Sequence, residues 1–458
     1  MGQKQVIESI FDKCKLLNLW TMCPMNYYKY IIIGNSAGGI GAIEAIREVD
    51  KTNEIAVISD EPYSAYSRPL ISYLLAEKIK LDDIYLRVPN FYEDNGVATF
   101  FGTQATNIDF NEKKVTLDNG KKLYYEKLLL ATGGTPFVPN MPGLDKTGVF
   151  RGFNTLDTTL ELQKTISEKK GRAVILGGGL IGLKAAEALR MKGLEVTVVE
   201  LLDRLMPLVI DQPASQWVET VLENQDIKII TGNTISEITG SFSNPNEVGG
   251  VVLKDGTTIR CDIVVIAIGV RPRIELVRES EVEVNRGILV NKKMETSVPN
   301  VFACGDCAEV YDFIMDSFRL TPLWPTAFVG GRIAGFNMAG DCKEYYWGTS
   351  MNSTTFFGFP IISAGIINLS DEEKSDYEIL SQNTESFYKS IILKDNKIMG
   401  FVLANEIDRA GIFLGLMRNK IDVSEFKDDL LSEDFGLIHL SDQVRNDLLA
   451  KENLSCMT

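Results

Sequence analysis

Residues 172–204 read RAVILGGGLIGLKAAEALRMKGLEVTVVELLDR, and this stretch decides the fold. It opens with an apolar run of strand length, Ala173–Leu176, as expected for a strand that is buried on both faces. The run leads into a complete G-x-G-x-x-G, formed by Gly177, Gly179 and Gly182. In this pattern the first glycine makes a tight turn, the second lets the backbone approach a pyrophosphate, and the third lets helix and strand pack closely.

The residues after the glycines complete a strand–helix–strand unit. A helix is predicted from Leu180 to about Lys192, and Gly193 stops it. A second strand, Glu195–Val199, leads to Glu200, close to the roughly 20-residue offset expected for a carboxylate that binds a ribose. Strand, glycines, helix, strand and acid in this order predict a dinucleotide-binding unit.

A second unit of the same kind lies nearer the N-terminus. The strand Lys29–Gly34 leads into a turn in which serine replaces the middle glycine, and a helix over Ile40–Val49 and a strand over Glu54–Ser59 follow. The turn residues are Gly34, Ser36 and Gly39. Two acids, Asp60 and Glu61, come after the second strand, and we predict that one of them holds an adenosine ribose.

Two further segments, residues 115–134 and 251–269, repeat one another. Each reads as a strand, an Asx-Gly turn, a second strand and a buried strand that ends in Ala-x-Gly. Each half of the chain therefore contains glycine turn, acid, hairpin and closing strand in the same order. We predict an α/β fold with two Rossmann-like dinucleotide-binding domains and two dinucleotides bound at once.

The pattern changes at about Asp341, beyond which we predict a C-terminal α+β domain. Two strands, Phe387–Leu393 and Ile398–Leu403, form a hairpin, and Ile407–Lys420 forms a helix. The charged tail Ser424–Thr458 is interpreted as helical, with a polar surface that faces a partner. Residues 1–28 are interpreted as an N-terminal extension, and two interpretations of it stay open: a short docking helix, or a tag-like or misassigned start before Met25.

Composition narrows the function classes. The 458-residue chain is 45% hydrophobic and 24% charged, as in globular proteins, and its formal net charge of −15 argues against a nucleic-acid partner. No apolar run approaches the ~20 residues of a membrane-spanning helix, and no Cys/His spacing predicts a metal site. The 7 sparse cysteines are typical of reduced thiols, so we expect a cytoplasmic protein. The only histidine, His439, lies near the C-terminus, which excludes a catalytic histidine in the main body.

Taken together with Tyr66–Leu70 (YSRPL), Thr296–Asp306 and Trp324–Thr326 (WPT), these segments resemble the flavoproteins of the pyridine nucleotide–disulfide oxidoreductase superfamily. The branch that they resemble contains NADH oxidases, NADH:rubredoxin reductases and nitrite-reductase flavin domains, and the resemblance covers about Tyr30 to Leu403. It implies a glutathione-reductase-like fold in which the first turn binds FAD and the second binds NAD(P)H. The implied organisation is an extension at 1–28, an FAD-binding domain at 29–148 and 272–340, an NAD(H)-binding domain at 149–271, and a C-terminal interface domain with a helical tail at 341–458.

The same resemblance implies roles for particular residues. Arg68 reaches the FAD phosphate, Gly305 and Asp306 bind the ribitol, and the helix after Trp324-Pro325-Thr326 points its N-terminus at the flavin N1–C2=O edge, where it stabilises the charge of reduced flavin. The residues predicted to bind FAD are Gly34, Ser36, Gly39, Asp60, Glu61, Arg68, Pro69, Ala105, Thr132, Gly133, Gly305, Asp306, Thr326 and Ala327. Those predicted to bind NAD are Gly177, Gly179, Leu180, Ile181, Gly182, Glu200 and Gly269. Glu200 favours NADH over NADPH because a carboxylate repels a 2′-phosphate, and the nearby Arg204 moderates that preference.

The chain also departs from the family pattern. Disulfide-reducing members place a cysteine beside the flavin, whereas this chain has no cysteine between Cys23 and Cys261. Many relatives carry a lysine on the Arg-Pro helix and a glutamate in the G-x-x-G-x-E of the NAD turn, and the corresponding positions here are Tyr73 and Lys184. We therefore predict Lys184 as a catalytic residue, with its positive charge near the contact between nicotinamide and flavin.

These observations predict an NADH-dependent oxidoreductase that passes a hydride to FAD and electrons to an iron–sulfur or rubredoxin-type protein, or to oxygen. The chain could act as a subunit of a larger complex, and a homodimer through the C-terminal domain is a further expectation. Two alternatives stay open. Cys304 and Cys307 form a C-x-x-C near a helix N-terminus that would stabilise a thiolate, which would make the chain a disulfide reductase. The other alternative is a signalling protein that binds FAD and NADH with slow turnover.

Overall fold

The structure is a computed structural model and describes residues 26–168, 171–346 and 348–449. Nearly all of the predicted N-terminal extension, at residues 1–28, lies outside these ranges, as do residues 450–458 of the tail. Within the described ranges, no helix combines the length and the apolar composition that crossing a membrane would require.

The first part of the chain forms seven strands and three helices, which are β1 (Tyr27–Ile33), α1 (Ala37–Val49), β2 (Ile55–Ser59), α2 (Ile71–Leu75), α3 (Phe91–Asp94), β3 (Val97–Phe101), β4 (Ala105–Asp109), β5 (Lys114–Leu117), β6 (Lys122–Leu130) and β7 (Gly134–Pro136). The second part adds β8 (Val149–Phe150), α4 (Leu156–Glu168), β9 (Arg172–Leu176), α5 (Leu180–Met191), β10 (Glu195–Val199), α6 (Gln212–Glu223), β11 (Ile227–Ile230), β12 (Ile235–Gly240), β13 (Val248–Leu253), β14 (Thr258–Arg260) and β15 (Ile263–Ile266). The third part contains β16 (Val270–Pro272), β17 (Ile288–Leu289), β18 (Val301–Ala303), β19 (Ala308–Asp312), β20 (Ser317–Leu320) and α7 (Trp324–Ala339). The last part contains β21 (Met351–Phe356), β22 (Phe359–Gly365), β23 (Glu378–Asn383), β24 (Tyr388–Lys394), β25 (Lys397–Ala404), α8 (Ala410–Arg418) and α9 (Asp442–Leu449).

The first sheet has the order β3-β2-β1-β6-β5-β4, and β18 joins it beside β6. Its central strands β1, β2 and β6 are parallel, and side chains such as Ile31, Ile58 and Leu129 are buried, as expected for strands covered on both faces. β6 is long enough to pair with β5 near one end and with β18 at the other. The chain therefore leaves this sheet, builds a second one, and returns to the first.

The second sheet has the order β11-β10-β9-β15-β8, and all of its strands are parallel. β12, β13 and β14 form a separate antiparallel meander beside it. In both sheets the same sequence of strand, glycine turn, helix and strand occupies the centre, at β1–α1–β2 and at β9–α5–β10. Two Rossmann-like units are therefore present, as predicted.

Helices α1 and α7 touch backbone to backbone. A Cβ atom on Gly331 would lie 2.0 Å from the carbonyl oxygen of Gly38, and one on Gly335 would lie 2.5 Å from that of Ala42. Both distances are far below van der Waals contact, so only glycine allows this approach. The small residues of α7 thus hold its axis against α1.

The last part of the chain folds into an antiparallel sheet of order β21-β22-β25-β24-β23. One face, with Phe356, Tyr388 and Val402, belongs to the same hydrophobic cluster as the second Rossmann unit. The other face is covered by α8 and by the segment that follows it. The predicted hairpin is confirmed as β24 and β25, whereas the predicted helix Ile407–Lys420 is shorter at both ends.

In the described part of the tail, the prediction of helical structure is confirmed in part, whereas the interpretation of its surface as polar and partner-facing is wrong. Phe426, Leu430, Phe435 and Leu440 are buried in the C-terminal core, and the Phe435 ring stacks on Phe413 at 5.4 Å. Only the short turns at 424–429 and 437–439 and helix α9 are helical. The apolar residues occur in irregular turns, so they form a covering segment without helical periodicity.

Candidate functional site

The first glycine turn connects β1 to α1. Gly34 has a φ of +121°, and a Cβ there would lie 2.0 Å from the carbonyl oxygen of Ala131 at the end of β6, so this turn requires glycine. Ser36 is the N-cap of α1, but its side chain accepts no N–H of the first turn. Those backbone donors, at the positive end of a helix, form an anion site of the kind that binds phosphate.

The second turn connects β9 to α5 and has the same construction. Gly177 has a φ of +114°, and Gly182 packs against the carbonyl oxygen of Gly177. Gly179 is the N-cap of α5, and a Cβ on it would meet no described atom within 4 Å. The space in front of Gly179 is therefore open, as close approach of a pyrophosphate requires. Leu180 and Ile181 follow it in the first turn of the helix.

The two predicted ribose carboxylates lie at equivalent places, directly after β2 and β10. Both carboxylate oxygens of Glu200 accept backbone N–H groups, from Gly178 at 2.6 Å and from Leu202 at 2.8 Å. Asp60 lines a cavity at the end of the first sheet, and its carboxylate binds Arg273 at 2.7 Å. The sequence left a choice between Asp60 and Glu61, and the structure places Asp60 at the cavity.

That cavity, of about 520 Å³, opens at the carboxyl ends of β1 and β2. Two further predicted residues, Ala105 and Thr132, lie in its wall, and the Thr132 hydroxyl donates to the carbonyl of Arg273 at 2.6 Å. The remaining lining residues are Ile33, Gly34, Ile58, Ser59, Thr103, Gln104, Thr106, Thr135, Arg273, Glu275 and Leu276. Its position beside the first glycine turn fits the adenosine end of a dinucleotide.

A second cavity, of about 450 Å³, lies between the Arg-Pro turn and the start of α7. Its lining residues are Ser67, Pro69, Leu70, Asp83, Ile84, Tyr85, Leu86, Trp324 and Pro325. The indole Nε1 of Trp324 is buried and has no hydrogen-bond partner among the described residues, and its ring stacks on Phe328 at 5.5 Å. Thr326 and Ala327 are buried in the first turn of α7. A slot lined mostly by apolar side chains fits one face of a planar ring.

Arg68, in the turn before α2, and Asp306, in the turn after β18, interact electrostatically. The Arg68 guanidinium binds Glu61 at 3.0 Å and donates to the carbonyl of Asn154 at 2.6 Å. Asp306 is half-buried and accepts no hydrogen bond from any described residue; burial raises the pKa of its carboxyl group, and the Arg68 charge opposes that rise. A desolvated carboxylate without a donor fits the hydroxyl groups of the FAD ribitol.

The remaining glycines of the predicted set border the sites without obstructing them. Gly133 and Gly269 have φ values of +73° and +114°, and Cβ atoms on them would meet no described atom within 4 Å. Gly305 also has a positive φ, of +76°, in the turn that carries Asp306. Taken with the two turns and the two cavities, these residues fit one FAD molecule and one pyridine nucleotide.

Lys184 lies where α5 meets α2 and the C-terminal sheet. Its ammonium donates to Glu187 and to the carbonyl of Thr355, the latter at 3.0 Å, and lies 4.7 Å from the centre of the Tyr73 ring. The two positions at which this chain departs from its relatives are therefore in contact. A catalytic role for Lys184 stays a prediction, because these contacts hold the ammonium in place without directing it at a substrate.

The structure does not support a reactive Cys304–Cys307 pair. Both side chains are fully buried, and Cys307 Sγ donates to the carbonyls of Cys304 at 3.2 Å and Leu130 at 3.5 Å. Burial raises the pKa of both thiols, and the segment Gly305–Cys307 is a single 3₁₀ turn that begins no long helix. The expectation that a helix N-terminus stabilises a thiolate here is therefore wrong.

Sequence reasoning missed several residues of the site. Arg273, which contacts Asp60 and Thr135, follows β16 just after Gly269, and Asn154 provides the carbonyl that Arg68 binds. The repeat offered a signal for Arg273, because β16 pairs with β7, the strand that follows the first closing strand. No local signal marks Asn154.

Comparison with known proteins identifies the family. The model of the pyridine nucleotide-disulphide oxidoreductases matches residues 28–375, and that of the rubredoxin NAD⁺ reductase C-terminal domain matches 351–421. The chain is 32% identical to the nitrite reductase [NAD(P)H] of Bacillus subtilis over 88% of this chain and 48% of that protein. It is also 32% identical to the NADH-dependent phenylglyoxylate dehydrogenase subunit epsilon of Aromatoleum evansii, over 88% of this chain and 94% of that one.

A solved structure shows the same architecture. The NADH:rubredoxin oxidoreductase of Clostridium acetobutylicum superposes with a TM-score of 0.72 and 27% identity, over 88% of this chain and 97% of that one. The chain spans 48% of the Bacillus subtilis nitrite reductase and 51% of a second relative from that organism, the assimilatory nitrate reductase electron transfer subunit, about half the length of each. Since the family model covers most of the chain, the chain belongs to the pyridine nucleotide-disulphide oxidoreductase family, and its cofactors are FAD and a pyridine nucleotide.

Proposed function

We propose that the chain oxidises NADH with its bound FAD and delivers the electrons to a separate acceptor. The observation that carries this proposal is the state of Cys304 and Cys307, which are fully buried and free, with raised thiol pKa values. Other members of the family reduce a disulfide beside the flavin, but the described part of this chain offers no accessible thiol pair there. Electrons on the flavin must therefore leave to an outside molecule.

The environment of the second turn favours NADH over NADPH. Glu200 presents a carboxylate where a 2′-phosphate would lie, and Arg204 turns away from it to bind Asp203 at 3.2 Å and the Asn368 side chain at 3.2 Å. The neighbouring Leu201 and Leu202 are exposed and uncharged. These two contacts engage the Arg204 guanidinium, so the moderating effect expected from it is reduced.

The residues of the first unit bind and tune the flavin. When bound, FAD supplies the hydride-accepting and electron-transferring chemistry. The α1 N-terminus holds the pyrophosphate, and Asp306 accepts from the ribitol. The N-terminus of α7, at Thr326, stabilises negative charge on the edge of the flavin ring. The apolar walls at Pro69 and Leu70 exclude water from one side of the ring.

The acceptor in this proposal is a small iron–sulfur or rubredoxin-type protein. Its support is the name of the Clostridium relative, which this chain matches along almost its full length. A role as the NADH-oxidising subunit of a larger complex is supported by the names and lengths of the Bacillus and Aromatoleum proteins. Oxygen remains an alternative acceptor. A homodimer through the C-terminal domain stays a prediction, which light scattering would test.

Anaerobic stopped-flow reduction of the purified flavoprotein tests the function. We expect NADH to bleach the flavin absorbance faster than NADPH, and oxidised rubredoxin or a [2Fe-2S] ferredoxin to restore it within the turnover time. Fast reoxidation by air alone would favour an NADH oxidase, and fast reoxidation by a low-molecular-weight disulfide would favour a disulfide reductase. A long-lived reduced form that no acceptor reoxidises would favour the signalling alternative. Flavin that NADH leaves oxidised would refute the proposal.

A further inference from the structure

Helix α5 carries a buried carboxylate that contacts three separate parts of the molecule. The Glu187 side chain is 5% exposed. It accepts from the Lys184 ammonium one turn earlier and from the backbone N–H of Phe357 at 2.9 Å, and it lies 3.7 Å from the Lys78 ammonium just after α2. A carboxylate at this depth is stable only while such partners compensate its lost hydration.

Phe357 lies at the tip of the hairpin between β21 and β22. It adopts a left-handed φ of +48° and is followed by Gly358 at +90°, so the tip is a tight turn whose backbone groups point in fixed directions. On one side of Phe357, the carbonyl of Thr355 accepts from Lys184 at 3.0 Å. On the same strand, Phe356 is fully buried with its ring 5.7 Å from the Lys184 ammonium. The C-terminal domain is thereby fastened to the helix of the second glycine turn.

The third element is α2, which continues directly from the Arg-Pro turn beside the predicted flavin slot. Its Tyr73 ring contacts the Lys184 ammonium at 4.7 Å, a cation–π contact that requires the charge to stay in place. Lys184 has only two hydrogen-bond acceptors among the described residues, Glu187 and the carbonyl of Thr355. Without the Glu187 charge, the largely buried ammonium would be left with one neutral carbonyl and the ring face.

We propose that Glu187 is a positioning residue for hydride transfer. It fixes the Lys184 ammonium against Tyr73 and so sets the distance between α2, on the flavin side, and α5, whose first turn binds the pyrophosphate of NADH. The inference rests on the proposed function. Because hydride transfer requires the reacting atoms within about 3–3.5 Å, a small shift of α5 relative to α2 lowers the rate more than it lowers binding.

Stopped-flow reduction of Glu187→Gln by saturating NADH tests the proposal, since this variant keeps the shape and removes the charge. We expect the limiting rate of flavin reduction to fall roughly tenfold, while the NADH dissociation constant and the FAD content stay within twofold. Lys184→Met is expected to show the same fall, and the double variant is expected to be no slower than either single variant, because both act through one contact.

Tyr388→Phe is the matched control. Its hydroxyl donates to Asp211 at 2.5 Å and joins the same C-terminal sheet to α6, away from Lys184. We expect this variant to reduce its flavin at the wild-type rate. An equal fall in Tyr388→Phe would show that any loosening of the interface slows the reaction and would overturn the proposal.

The other outcomes are equally decisive. Glu187→Gln with wild-type kinetics would overturn the inference while leaving the proposed function intact. Wild-type protein that NADH does not reduce would refute the function itself. Should Glu187→Gln fail to fold, a wild-type limiting rate in Lys184→Met would overturn the inference on its own.

Discussion

Replacing Gly179 by alanine separates ligand binding from folding at the second glycine turn. Gly179 has φ −80° and ψ 177°, which any residue adopts, and its Cβ position is free of described atoms within 4 Å. Alanine is a weaker N-cap than glycine, which costs about 0.5–1 kcal/mol, and it reduces the entropy of the unfolded chain, which stabilises by about 0.4–1 kcal/mol. The two effects nearly cancel, so the free energy of unfolding should change by less than about 1 kcal/mol.

NADH affinity should respond very differently. The methyl group would occupy the space through which the pyrophosphate reaches the backbone N–H groups of α5. Loss of one charge-assisted hydrogen bond costs about 1.5–3 kcal/mol, which corresponds to a dissociation constant raised by at least roughly tenfold. The dependence of the flavin-reduction rate on NADH concentration in anaerobic stopped-flow gives the dissociation constant, and urea unfolding of the same FAD-loaded sample gives the stability.

Gly182→Ala is the contrasting variant. Its Cβ would lie 2.0 Å from the carbonyl oxygen of Gly177, so we expect destabilisation of about 1–3 kcal/mol, or more, through overpacking against backbone. If Gly179→Ala left NADH affinity unchanged, or lowered stability as much as Gly182→Ala, the assignment of this turn to the pyrophosphate would be refuted.

Four further predictions follow from contacts in the structure. Glu200→Ala should lower the preference for NADH, which is the kcat/KM for NADH divided by that for NADPH, by at least roughly tenfold, because a hydrogen bond to a charged group contributes about 1.5–3 kcal/mol. Steady-state ferricyanide reduction with each nucleotide measures this ratio. The double Cys304→Ser, Cys307→Ser variant should retain NADH-driven ferricyanide reduction, and loss of activity with full FAD content would revive the disulfide reductase. Burial raises the pKa of Asp306 in the folded protein, so the FAD-free protein loses stability as the pH rises from about 3.9, the ordinary pKa of an aspartate, to the raised value. Asp306→Asn should therefore stabilise the FAD-free protein at pH values above the raised pKa and leave its stability unchanged below about 3.9. Urea unfolding at several pH values measures this difference. Phe435→Ala should cost about 3–5 kcal/mol of unfolding free energy, because the ring is fully buried, whereas a partner-facing residue would cost less than about 0.5 kcal/mol.

The glycine turns made the Rossmann units predictable from the sequence. The predicted strand Glu195–Val199 has the observed bounds, and the predicted helix from Leu180 ends within one residue of α5. Glycines fix these elements because their positive φ values and backbone contacts have no substitute among other residues. The complete glycine motif at Gly177–Gly182 then allowed the N-terminal unit to be recognised as a second copy, although Ser36 replaces its middle glycine.

Other features depend on contacts between distant parts of the chain. Glu187 and Phe357 are 170 residues apart, and nothing in either local sequence marks their hydrogen bond. The covering role of the tail was also hidden, because Phe426 and Phe435 lie in turns that follow neither a helical nor a strand period. The spacing of Cys304 and Cys307 suggested a reactive thiol pair for a related reason: the reactivity of a thiol depends on its burial, which the spacing in the sequence does not encode.

The backbone contact between α1 and α7 has a consequence for engineering. In the proposed arrangement the N-terminus of α1 faces the phosphates and that of α7 faces the ring edge, and Gly331 and Gly335 fix the separation of the two helices by main-chain dimensions alone. The distance between the two helices is thus fixed, and it does not depend on the side chains on the outer surfaces of either helix. Charges could therefore be exchanged on those outer surfaces to retune the flavin potential while the cofactor stays in register.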